Sequence, residues 1–166
     1  MTPSTVVAEP IAGAVALEPY RSYPFRLQLD LAQRYKTQFI DVINAGTPGE
    51  QASQAVARFQ SVLGLHQPDV VLLMEGTNDI DPAVSGASAA LSAIESMVAA
   101  ATAAGADVFL ATIPPQRGTA AANLVPSYNT KIRSIAARRG AQFLDVFSII
   151  KNGQCAVLSA RSIQAS

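Results

Sequence analysis

A chain of 166 residues, 49% hydrophobic and 14% charged, fits one domain around a single core and can bury roughly 70% of its unfolded surface. That composition excludes a disordered or solvating segment. Twelve basic and twelve acidic residues leave a net charge of +0, and no basic cluster exceeds Arg138-Arg139, so there is no electrostatic footprint for nucleic acid or anionic lipid.

The amino-terminal stretch Met1 to Pro10 lacks the basic and long apolar parts of a signal peptide, and the compartment is left open. The next stretch carries two periods at once. Phe25, Leu27, Leu29 and Leu31 alternate like a strand, whereas Tyr23, Leu27, Leu31 and Tyr35 share one helical face. A helix is predicted, because Ser22 can cap it, Pro24 suits its first turn and Ala32-Gln33-Arg34 extends it with good helix formers.

From residue 36 onward strands and helices alternate without an internal repeat, which predicts βαβ units around a parallel sheet. A strand from Gln38 to Ile43 precedes a helix from Gly49 to Gly64, whose face is Ala52, Ala55, Val56, Phe59, Val62 and Leu63 and whose stop is Gly64. The continuous apolar run Asp69 to Glu75 suits a strand buried on both faces, with a loop following to Gly86.

Leu91, Ile94, Val98 and Ala101 then mark a helix closed by Gly105. The Ala-rich stretch Ala87 to Ala104 is broken by Ser and Glu95 and holds no apolar run long enough for a membrane span. A strand from Asp107 to Thr112 enters Pro114-Pro115, and Pro114 to Val125 reads as a loop that could wall a pocket. A helix begins with Pro126 in its first turn, buries Tyr128, Ile132, Ile135 and Ala136, and ends at Gly140. Gln142 to Phe147 is the last expected strand, and Ser148 to Ser166 a tail whose lone Cys155 allows no intrachain disulfide.

Two short motifs fall where strands stop. Asn44-Ala45-Gly46 follows Ile40-Asp41-Val42-Ile43, and Gly76-Thr77-Asn78-Asp79 follows the Asp69 to Glu75 run, so both lie at carboxyl ends, where open α/β sheets place their ligands. The backbone N-H of Gly46 and the side-chain amide of Asn78 are donors of the kind that stabilise a developing oxyanion.

This pairing resembles the SGNH (GDSL-type) hydrolases, a family of serine esterases and lipases, over about Ser22 to Phe147 of a single domain spanning 1–166. The resemblance implies a three-layer α/β/α sandwich with a flavodoxin-like parallel sheet in the order 2-1-3-4-5. It implies that Gly46 and Asn78 form the oxyanion hole, that Gly76, Thr77 and Asp79 border the ester, and that Asp79 chiefly orders the loop. The partner it implies is a small-molecule ester, with no metal or organic cofactor. Each motif residue also has a plainer reading, since Gly46 and Gly76 suit tight turns and Asn78 or Asp79 suit loop caps.

The chain departs from the family pattern at its other blocks. No Gly-Asp-Ser occurs, and no Asp, Glu or His follows Asp145, so neither the nucleophile block nor the late Asp-x-x-His block is present. The only histidine, His66, sits in the connection leading into a strand, at the wrong end of the sheet for a base. Ser148, Ser159, Ser162 and Ser166 show no activating partner. Because family nucleophile blocks continue with an apolar residue and Thr, Met1-Thr2 aligns with the residues just after the nucleophile, which would remove the central first strand. Thr5-Val6-Val7-Ala8 or Ala14-Val15-Ala16-Leu17 are the segments able to replace it. The expectation is a catalytically incompetent chain, or alternatively a pseudo-hydrolase that binds acyl or sugar esters.

Overall fold

Short β-branched and aliphatic runs form five parallel strands in this computed structural model, which describes residues 4–8, 22–80 and 87–152. They are β1 (Ser4–Ala8), β2 (Ile40–Asn44), β3 (Val70–Leu73), β4 (Asp107–Ala111) and β5 (Gln142–Leu144), in the order β2-β1-β3-β4-β5. Five helices connect or follow them: α1 (Tyr23–Arg34), α2 (Ala52–His66), α3 (Ala87–Ala103), α4 (Thr119–Arg139) and α5 (Val146–Lys151). This is the α/β architecture and strand order that the resemblance implies.

The expected gap at the centre of the sheet is closed from within the chain. Thr5 to Ala8, one of the two segments able to fill it, pairs with Asp41 to Asn44 on one side, and Val6 to Ala8 pair with Val70 to Leu72 on the other. Asp69 fastens the entry of this strand, since its carboxylate accepts from Thr5 N at 2.9 Å and its own N-H donates to Thr5 O at 3.0 Å. The central place in the sheet is therefore taken by a segment after Met1. The other candidate, Ala14 to Leu17, lies outside the described residues, as does the tail from residue 153, with Cys155.

The helix periods hold. Tyr23, Leu27, Leu31 and Tyr35 are half-buried while Phe25 and Leu29 stay exposed, so α1 packs with the 3.6-residue face and not the alternating one. Pro24 occupies its first turn, whereas Ser22 stands at the N-cap without a side-chain cap bond. Gln28 of α1 reaches β2, donating from Nε2 to Ile40 O at 2.6 Å and accepting from Val42 N at 2.6 Å. In α2 the buried residues are Ala52, Ala55, Phe59 and Leu63. They meet Val71 and Leu73 of β3, Ile94 and Val98 of α3, and Ile132 and Ile135 of α4 in one core.

Three of the boundaries that differ from expectation do so for a local reason. Gly64 is interior to α2, which continues to His66 and stops where Gln67 takes a left-handed φ of 44°. The segment read as a loop from Pro114 to Val125 is helical from Thr119, and Pro126 lies inside α4. The N-H that Pro126 lacks would have bonded Ala122 O, and Ala122 is exposed, so water can serve that carbonyl. The last strand stops at Leu144 because Asp145 caps α5, its Oδ1 accepting from Ser148 N at 3.1 Å. By contrast α3 ends as predicted: Gly105 has φ +89°, with Gly105 N bonding Thr102 O at 3.0 Å and Ala106 N bonding Ala101 O at 3.1 Å.

Among the described residues no helix is long and apolar enough to cross a membrane, and no group of acidic, His or Cys side chains is arranged to hold a metal.

Candidate active site

The strand order puts β1 between β2 and β3, so the loops that follow β2 and β3 flank the carboxyl end of β1 at Ala8. Gly46 lies two residues past β2, and Gly76 to Asp79 form the turn past β3, with Thr77–Asp79 in one 3-10 turn. Their side-chain bonds tie the two loops together. Asn78 Nδ2 donates to Glu50 O at 2.8 Å, and Asp79 Oδ2 accepts from Ala52 N at 3.1 Å.

Asp79 thus places a carboxylate at the amino terminus of α2, where free N-H groups and the helix dipole favour negative charge. Its residue is only 2% exposed. Burial pushes its carboxyl above the usual range, and the bond from Ala52 N pulls in the other direction. Asn78 is half-buried, and its amide carries two N-H donors, of which Glu50 takes one. The Gly46 N-H makes a long local bond to Asn44 Oδ1 at 3.4 Å, which a better-placed acceptor would displace at little cost. Thr77 is half-buried at the start of the turn.

Gly76 has a packing reason to be glycine. Its φ is +103°, and a Cβ built on it would lie 1.9 Å from the Tyr128 hydroxyl. Tyr128 of α4 therefore presses directly on the turn that carries Asn78. Its hydroxyl is buried with no hydrogen-bond partner among the described residues. Burial first, then the charges of Asp79 and Glu75, push that hydroxyl well above the ordinary tyrosine range.

The sequence motifs did not announce Glu50, Arg58 or Tyr128. Arg58 Nε donates to the two Glu50 carboxylate oxygens at 3.2 and 3.0 Å, and its Nη1 donates to Ala45 O. The available signal was a basic side chain placed among the apolar residues of α2, eight residues after an acid in the preceding turn.

His66 is the last residue of α2 and not a loop residue. Ala52, which touches Asp79, opens the same helix, so fourteen residues at 1.5 Å each put His66 about 21 Å from that corner. Past the carboxyl end of β5, Ser148 and Asp145 pair in a structural role. Ser148 donates to Asp145 Oδ2 at 3.0 Å, but Asp145 also bonds Ser148 N, which is the geometry of a helix cap.

A family model of GDSL-like lipases and acylhydrolases matches residues 10–158. The chain belongs to that family. Solved structures of similar fold include TesA, at 23% identity over 93% of this chain and 84% of that one, with a TM-score of 0.70. A psychrotrophic esterase, EstA from Pseudoalteromonas sp., determined with monoethylphosphonate as inhibitor, matches at 20% identity, 95% and 85% coverage and a TM-score of 0.71. The SGNH-hydrolase family esterase AlinE4 matches at 17% identity over 100% of this chain and 87% of its own, with a TM-score of 0.72. No curated protein sequence matches the chain. In this GDSL-like chain the loops after β2 and β3 meet through Glu50, Ala52, Asn78 and Asp79, whereas His66 stands apart at the far end of α2.

Proposed function

We propose that this chain keeps the ester-recognising half of the GDSL-like site and does not itself turn esters over. Gly46 N-H and the Asn78 amide receive the ester carbonyl oxygen, Gly76 and Thr77 border it, and Asp79 holds the turn against α2. The ligand is a small-molecule ester, in keeping with a family of lipases and acylhydrolases. The observation that carries the reading is the separation within the chain: two donor loops joined by Asn78 and Asp79, against a single histidine about 21 Å away along α2.

A serine without a base in reach is a poor nucleophile at neutral pH. Loss of nucleophile or base from a serine protease's catalytic triad lowers turnover by roughly a millionfold. The chain is accordingly expected to hydrolyse short-chain p-nitrophenyl esters no faster than buffer and to be stabilised against heat by a non-activated ester such as ethyl butyrate, an effect lost in Asn78→Ala. Saturable turnover that drops in Asn78→Ala would overturn the non-catalytic reading and assign a hydrolase whose nucleophile lies among the remaining serines. Absence of any ester effect on folded protein would remove the ligand assignment.

A further inference from the structure

The peptide unit joining Ala45 to Gly46 is a rigid plate whose carbonyl and N-H point in opposite directions. Whatever holds the Ala45 carbonyl therefore aims the Gly46 N-H. Arg58 does so through Nη1. The rest of its guanidinium grips the Glu50 carboxylate, from Nε at 3.2 and 3.0 Å and from Nη2 at 2.5 Å. The main-chain carbonyl of the same Glu50 accepts Asn78 Nδ2 at 2.8 Å. One cation thus touches both segments that orient the donors.

We propose that Arg58 is the positioning residue of this corner, setting the direction of the Gly46 N-H through Ala45 and the seat of the Asn78 amide through Glu50. The assignment deepens the ester-binding reading and rests on it. The side chains of Arg58 and Glu50 are only 27% and 13% exposed, so water competes weakly for the fork. A cation on the Ala45 carbonyl also polarises the peptide and makes its N-H a stronger donor. Lysine, a point donor, cannot grip a carboxylate in two places and a carbonyl in a third.

The experiment is a set of proton–nitrogen correlation spectra of the wild type, Arg58→Lys, Arg58→Ala and Asn78→Ala, each with and without ethyl butyrate. In both Arg58 variants the Gly46 backbone and Asn78 side-chain signals are expected to shift and broaden, while the Val108 to Leu110 signals of the core strand stay in place. Ethyl butyrate affinity is expected to fall about tenfold or more, the scale of one charge-assisted hydrogen bond. Unmoved Gly46 and Asn78 signals in Arg58→Lys overturn the inference, with or without ester binding. Loss of the whole folded spectrum in Arg58→Lys also overturns it, by making Arg58 a residue of the fold. Ester binding that survives in both Arg58 variants but not in Asn78→Ala overturns the positioning role and leaves the ester reading standing. If ethyl butyrate leaves even the wild type unchanged, the ester reading falls, and the ligand-free spectra still decide what Arg58 positions.

Discussion

The side-chain amide of Asn129 satisfies both polar groups of Ile113, accepting its N-H on Oδ1 at 3.0 Å and donating from Nδ2 to its carbonyl at 3.0 Å. Ile113 is fully buried and Asn129 is 7% exposed, so no solvent stands ready to replace either bond. Asn129→Leu leaves both groups unpaired, at about 1–3 kcal/mol each, and should lower unfolding stability by about 2–5 kcal/mol in urea titrations. A loss under half a kcal/mol, about the scale of an ordinary surface substitution, would show that the bonds are replaced.

Gly76 and Tyr128 give opposite expectations at one contact. Gly76→Ala adds a Cβ 1.9 Å from the Tyr128 hydroxyl at a backbone φ of +103°, so overpacking and backbone strain together should cost about 2–4 kcal/mol. Tyr128→Phe removes a buried hydroxyl without a described partner and should raise stability by about 1 kcal/mol. Thermal melts of both variants check the pair, and a destabilised Tyr128→Phe would reveal a partner for that hydroxyl.

Asp79 should make the protein less stable as pH rises. Its carboxyl titrates near 3.8 in an unfolded chain and higher in the fold, where burial opposes its charge. Between those two values the folded state holds the extra proton, so stability declines as pH climbs through the window and stays at the lower level above it. Asp79→Asn retains an oxygen for Ala52 N and carries no titrating group. The wild-type melting temperature relative to Asp79→Asn should therefore fall from about pH 3.5 upward and level off beyond the raised pKa. A gap that stays constant, or that widens in favour of the wild type, contradicts the assignment.

Asp69 should decide whether β1 stays in place. Asp69→Ala removes the acceptor of Thr5 N, a charge-assisted bond worth about 1.5–3 kcal/mol when sheltered and less at this exposed site. Hydrogen exchange at Thr5 and Val6 should quicken more than at Val108 or Leu110. Uniform exchange across all strands would mean that β1 opens only with the whole sheet.

What the sequence disclosed follows the range of the forces involved. The faces of α2, α3 and α4 were readable because Phe59, Ile94 and Ile132 recur with neighbours at helical spacing, a local property. The position of β1 was readable only as one of two candidates, because Ser4–Ala8 is five residues long and its entry is fixed by Asp69, 64 positions away. The start of α4 was missed because Pro126 reads as a first turn, whereas the preceding Ala-rich residues carry the helix seven positions further back. Gly46 and Asn78 were visible as candidates because each follows a strand. Arg58, Glu50 and Tyr128 acquire their roles only when α2 and α4 meet the loops, and no spacing along the chain encodes that meeting.

Gln28 presents β2 with a side-chain imitation of a neighbouring strand, one acceptor and one donor matched to Val42 N and Ile40 O. An open sheet margin is a template on which a second chain can be laid down, the first step of runaway fibre growth. Here a visiting strand must first evict an amide that is tethered to the same molecule and already at hydrogen-bonding distance. The protein thus carries its own chain terminator for sheet extension, and replacing that one glutamine reopens a route to self-association without altering the core.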